Sequence, residues 1–134
     1  MERVKLIYST DFYSINNAQL TGCCGHMICL EGEGSFVFNE KCFHFCAGDI
    51  LILTHPHKLK NLAADKHLRI EFFATEYQFL FKQLPSNNFS IGGGISLNTN
   101  PIIHATPEEG KCFLADIRII RDRMHEEGEH RFYW

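Results

Sequence analysis

Polar and apolar positions alternate with a period of two through much of the first half of this chain, and that period belongs to β-strands. Val4–Tyr8 reads as a first strand, followed by irregular chain over Asp11–Gly22 with a turn at Asn16-Asn17. Strand signals then come quickly at His26–Leu30, Ser35–Phe38 and Cys42–Cys46, and Asn39-Glu40 suits a hairpin turn between the last two. Ile50–Leu53 is an unbroken apolar run, as expected of a strand buried on both faces. Arg69–Phe73 is a further strand, expected to pair with a short one near Leu59–Leu62, and Pro101–His104 is another. Many short strands at regular spacing predict a sandwich or barrel.

The period changes later in the chain. Thr75-x-x-Gln78 is a capping-box pattern that predicts a short helix over Glu76–Leu84, closed by Pro85. Gly92-Gly93-Gly94 lacks the strand-and-helix setting of a phosphate loop and reads as a flexible or bulged approach to a strand. Thr106-Pro107-Glu108-Glu109 combines a capping Thr, Pro at the first helical position and Glu three residues after the cap. The helix it opens carries Phe113, Ile117, Ile120 and Met124 on one stripe, with Arg118, Arg121 and Asp122 expected to turn away, and Gly128 ends it. The chain then stops at Phe132-Tyr133-Trp134, three aromatics that read as the cut start of a further buried element.

Composition narrows the class. The 134 residues suit one domain with a real core, and 45% hydrophobic against 22% charged residues is a globular balance. Twelve phenylalanines suggest a core or pocket with large flat walls. A net charge of −3 argues against a nucleic-acid-binding domain, which carries a basic surplus. No apolar run is long enough to span a bilayer, and Met1–Lys5 lacks a secretion signal, so the expected location is the cytoplasm and no membrane partner is expected. In that compartment the six cysteines are expected as free thiols.

Three groups of residues invite a chemical reading. Cys42, His44 and Cys46 share one strand face, but Cys42 and Cys46 lie about 13 Å apart along a strand, so at most two of the three can share a metal ion. Across the hairpin, an even-numbered turn puts Phe36 and Phe38 on the same face as Phe43 and Phe45, which reads as barrel core or as the wall of a ligand pocket. His55-Pro56-His57 is an H-x-H in a loop, where Lys58 and Lys60 disfavour a cation; with His26 it is the alternative metal set. Glu71 sits between Ile70 and Phe72 and needs a partner if it points inward, which Arg69 on the opposite face cannot supply. No nucleophile elbow, Walker loop, H-E-x-x-H or paired-carboxylate pattern is present, so no catalysis and no cofactor are expected.

From His26 onward the chain resembles the N-terminal sensor domain of AraC-type transcriptional regulators. The resemblance rests on Glu31-Gly32-Glu33-Gly34-Ser35-Phe36, the Ala47-Gly48-Asp49 corner with Ile50–Leu53, the loop Thr54–His57, and Arg69–Phe73 followed by a helix and a second helix from Pro107. It implies a mainly β, cupin-like (double-stranded β-helix, or jelly-roll) barrel with one short and one longer C-terminal helix. The expected layout is a single sensor domain, with an N-terminal arm and first strand over 1–25, the barrel over 26–105, the amphipathic helix over 106–128 and the start of a next element over 129–134. It also implies a small-molecule effector, a sugar or another metabolite, and a homodimer in the full-length protein. Promoter DNA is then a partner only through a C-terminal helix-turn-helix domain that this chain lacks. The expected effector pocket comprises Phe36, Phe38, Phe43, Phe45, His26 and Glu71. Metal-dependent cupin enzymes carry their H-x-H before the Gly-Asp corner, where this chain offers only His26, Ile28 and Glu31. A stand-alone metal-dependent cupin enzyme is therefore the alternative.

Overall fold

A computed structural model describes residues 6–76 and 100–127, with the backbone alone over 123–127. The expected helix after Glu76, the triple glycine, the Met124 side chain and the aromatic end lie outside what is described. Among the described residues the order is β1 (Leu6–Ser9), β2 (Cys23–Glu31), β3 (Glu33–Phe38), β4 (Lys41–Cys46), β5 (Asp49–Leu53), β6 (Lys60–Ala64), β7 (Arg69–Glu76), β8 (Ile102–His104) and α1 (Pro107–Glu127). The fold is mainly β, with two antiparallel sheets that do not close on each other among the described residues. The larger has the order β1-β7-β2-β5-β8 and the smaller β4-β3-β6.

Burial alternates along the strands as a sandwich requires. Ile7, Met27, Cys29, Leu51, Ile70 and Phe72 point from the larger sheet into one core, where they meet Phe36, Phe38 and Phe45 of the smaller. The other face of the larger sheet presents Leu6, Cys24, Ile28, Ile50, Ile52 and Phe73 to α1, and Ile117 completes this second core. β5 lies between β2 and β8 and is buried on both faces, as its apolar run predicts. Burying both faces of the larger sheet makes three layers, sheet on sheet on helix, and each interface contributes roughly 25 cal/mol for every Å² of apolar surface it hides.

Three local expectations are met for local reasons. Asn39 and Glu40 both take positive φ, which matches the right-handed twist of the flanking strands in a two-residue hairpin turn. At the start of α1, the Glu109 amide donates to Thr106 Oγ1 at 3.2 Å and the Thr106 amide donates to Glu109 Oε1 at 2.9 Å, a reciprocal capping box. All six cysteines are free, though Cys42, Cys46 and Cys112 are exposed rather than buried.

Two expectations need correction. β7 pairs with β1 and β2, whereas β6 pairs with β3 in the other sheet. The loop between β6 and β7 is a sheet-to-sheet crossover rather than a hairpin, which short spacing alone does not distinguish. β2 also begins at Cys23, not His26, because Cys23 and Cys24 are each buried, one in either core.

Candidate functional site

The Gly48-Asp49 corner builds a polar cleft. The chain leaves the smaller sheet after Cys46 and enters the larger at Asp49, so it must turn sharply, and Gly48 does so at φ +95°. Two backbone bonds tie this crossover to the one between β2 and β3: the Ala47 amide donates to Gly32 O at 3.1 Å and the Gly48 amide to Cys29 O at 2.9 Å. The buried Asp49 carboxylate then accepts from the Cys46 amide at 2.9 Å on Oδ2. Its Oδ1 accepts from His104 Nδ1 at 2.8 Å. A carboxylate only accepts, so the proton of this bond sits on His104 Nδ1. His104 is 80% exposed against 7% for Asp49, which places a fixed buried acid behind an accessible imidazole. The Asp49 charge raises the pKa of the neighbouring Cys46 thiol.

The cleft around this pair encloses about 520 Å³ and is lined by Glu33, His44, Phe45, Asp49, Asp65 and His104 among others. Its polar lining includes carboxylates and imidazoles beside Ser35 and Cys46, and its apolar lining includes Ala63, Ala64 and Phe45. That ring packs edge-on against Phe12 at 5.4 Å and against Phe36 at 6.2 Å. Gly34 makes room for it: a Cβ there would stand 2.6 Å from Phe45 Cζ.

The structure divides the six residues expected to line one pocket between the two layers. Phe36, Phe38, Phe43 and Phe45 do share one face, since Phe36 pairs with Phe43 and Gly34 with Phe45 across the hairpin. Phe36 and Phe43 stack at 5.6 Å, and the four fill the space between the sheets, where Phe43 is the least buried. Phe45 alone of the four also lines the cleft. His26 and Glu71 lie on the opposite face of the larger sheet, beneath α1. The His26 ring lies 6.0 Å from Phe73 and 6.4 Å from Phe113, and its Nδ1 is sealed without a hydrogen-bond partner. Burial lowers its pKa to about 4, opposed only by a backbone hydrogen bond to Phe73.

Glu71 finds its partner on the helix. Arg118 Nη2 donates to Glu71 Oε2 at 2.7 Å and Nε to the same oxygen at 3.2 Å, while Tyr8 Oη donates to Oε1 at 3.0 Å. The expectation that Arg118 and Arg121 turn away is thus corrected. Arg118 remains half-exposed yet reaches back over the sheet, and the Arg121 guanidinium sits 5.8 Å from the Tyr8 ring centre. Long side chains lay their stems along the apolar surface and carry the charge to a partner that helical position alone would not assign. Burial chiefly raises the Tyr8 pKa.

The H-x-H loop is a single short turn with Pro56 buried. The His55 and His57 rings lie 6.2 Å apart, and His55 Nδ1 is 3.1 Å from Thr54 Oγ1. Burial, with help from Lys58, lowers the His55 pKa. Among the described residues, no three His, Cys, Asp or Glu side chains converge on a point where they could hold a metal ion. No helix among them is long and apolar enough to cross a membrane.

The Asp49–His104 pair is the feature that sequence reading missed. Its signal was present in the Gly-Asp corner, but the partner lies 55 positions away on β8. No family model matches this chain, and no curated protein matches it.

Proposed function

We propose that this chain is the effector-sensing domain of a transcriptional regulator of the AraC type, built on a cupin-like jelly-roll, with the cleft at the Gly48-Asp49 corner as its effector site. The ligand class is a small polyhydroxylated molecule, such as a sugar or another polar metabolite. Carboxylate and imidazole groups on the walls would take its hydroxyls, and Phe45 would take its apolar face.

The observation that carries this reading is the position of Asp49. It lines the cleft and is also the first residue of β5, whose Ile50 and Ile52 pack in the same layer as Ile117 of α1. A ligand that pulls on Asp49 or His104 therefore acts on the strand beneath the helix. Such a switch works only if the ligand binds one helix arrangement better than another. Homodimerisation and promoter binding through a further helix-turn-helix domain belong to the same proposal.

A thermal-shift panel of sugars, polyols and polar metabolites tests it, with hits repeated on His104→Ala. The expected result is a ligand that raises the melting temperature of the parent and loses its effect in the variant. A panel without a single saturable shift, or a hit that binds the variant equally well, would overturn this reading.

A further inference from the structure

β4 is the edge of the smaller sheet, and no described strand pairs with its outer side. Because Phe38 and Lys41 flank a two-residue turn, they form a hydrogen-bonded pair, and the pattern then alternates. Lys41, Phe43 and Phe45 face β3 with their backbone groups, whereas those of Cys42, His44 and Cys46 face outward. The Cys46 amide already donates to Asp49. Among the described residues, the open part of this edge is therefore the segment from Cys42 to His44.

Side chains at the same two positions stand together on the solvent face. Cys42 Sγ lies 3.7 Å from His44 Nε2, and both residues are exposed. Bonds of about 2.3 Å to sulfur and about 2.05 Å to nitrogen at a tetrahedral angle place two such ligands about 3.6 Å apart. The pair is held by a sulfur hydrogen bond whose span matches the separation of two ligands on one tetrahedral zinc ion. It supplies two ligands where a closed site needs four, and no third ligand stands nearby among the described residues.

We propose that Cys42 and His44 are half of a zinc site that two copies of this chain complete across their β4 edges. The register follows from the outward backbone groups that no described strand pairs. A two-fold axis through Phe43 sets Cys42 of each copy opposite His44 of the other, as hydrogen-bonded pairs with Cα atoms about 5.5 Å apart. Both residues then point to the same face, and the four side chains form a Cys₂His₂ set. Each Cys42 thiol releases its proton to solvent as Sγ binds the ion. The paired edges would also remove an open strand edge that invites indiscriminate association. The site shares His44 with the wall of the cleft, whereas Cys42 lies outside it, so loss of the dimer in Cys42→Ser tests this inference without touching the effector site proposed above.

The test uses the full chain, stripped of metal by a chelator and kept reduced with a phosphine, then titrated with zinc or cobalt(II). Light scattering reads the mass and cobalt absorption reads thiolate ligation. The expected result is one ion per two chains, a dimer that forms only with metal, and a tetrahedral cobalt spectrum with a sulfur charge-transfer band. Cys42→Ser and His44→Gln are each expected to lose the dimer and the spectrum, whereas Cys46→Ser and Cys112→Ser keep both. All four positions are exposed, so melting midpoints in chelator should match the parent. Failure to bind metal, one ion per single chain, or binding that survives Cys42→Ser and His44→Gln would each overturn the proposal.

Discussion

The Arg118 guanidinium closes on the Glu71 carboxylate at 2.7 Å and so joins α1 to β7, an interior strand of the larger sheet. Glu71 is 7% exposed on its side chain and Arg118 46%, so the acid is sealed while the base keeps much of its water. Removing the base leaves a buried charge with Tyr8 as its sole remaining described donor. Arg118→Ala should therefore lower the urea midpoint more than the double variant Glu71→Gln/Arg118→Ala does. Glu71→Gln alone should cost about 1–2 kcal/mol, since half the pair is screened by solvent. Equal losses in the single and double variants would show that Glu71 is not held by Arg118.

Acid stability should carry the mark of His26. Its folded pKa lies at about 4, below the ordinary value of 6.5, so the unfolded chain binds a proton more readily. That stabilises the fold fully above pH 6.5, and the contribution is lost as pH falls from there toward 4. The loss is on the order of 3 kcal/mol at most. His26→Phe should flatten the pH dependence of stability across that window, and a slope identical to the parent's would refute the assignment.

Two glycines should respond differently to alanine. At Gly34 the new Cβ would meet Phe45 Cζ at 2.6 Å and Ala63 O at 3.0 Å, and the ring cannot retreat from Phe12 and Phe36. Overpacking of this kind costs about 1–3 kcal/mol. Gly48 has open space around it, and only its φ of +95° resists a side chain, a strain of about 1 kcal/mol. Denaturant melts should rank Gly34→Ala below Gly48→Ala, and the reverse order would place the strain at the corner instead.

Thiol labelling should split the cysteines into two groups of three. Cys42, Cys46 and Cys112 are exposed, whereas Cys23, Cys24 and Cys29 are buried. Burial pushes Cys24 and Cys29 up to about 12, so they offer almost no thiolate at neutral pH. A chromogenic disulfide reagent should count three fast thiols in the folded protein and the remainder after denaturation. A fourth fast thiol would mean that one core opens on the labelling timescale.

Features encoded within a few residues were the ones legible in the sequence. The Asn39-Glu40 turn, the parity that gathers four phenylalanines on one face and the Thr106 cap each depend on neighbours along the chain. Partners set by the third dimension were not legible. β6 and β7 are adjacent in sequence yet lie in different sheets. The demand of Glu71 for a partner could be read from its apolar strand, but the partner sits 47 positions later, on a helix face that periodicity assigns to solvent. The candidate pocket was split for a similar reason. Alternation tells which residues share a face of one strand, but not which of two cores that face meets.

The ladder between β1 and β7 bears on how the chain emerges from a ribosome. Tyr8 meets Glu71 across 63 positions of sequence, and every described partner of β1 in the sheet comes from β7. During synthesis β1 must wait, apolar and unpaired, until the residues that cover it have been made. The β3–β4 hairpin closes over a two-residue turn and can form within microseconds of its emergence. The smaller sheet can therefore serve as the template, and the larger one, which carries the helix, is assembled last.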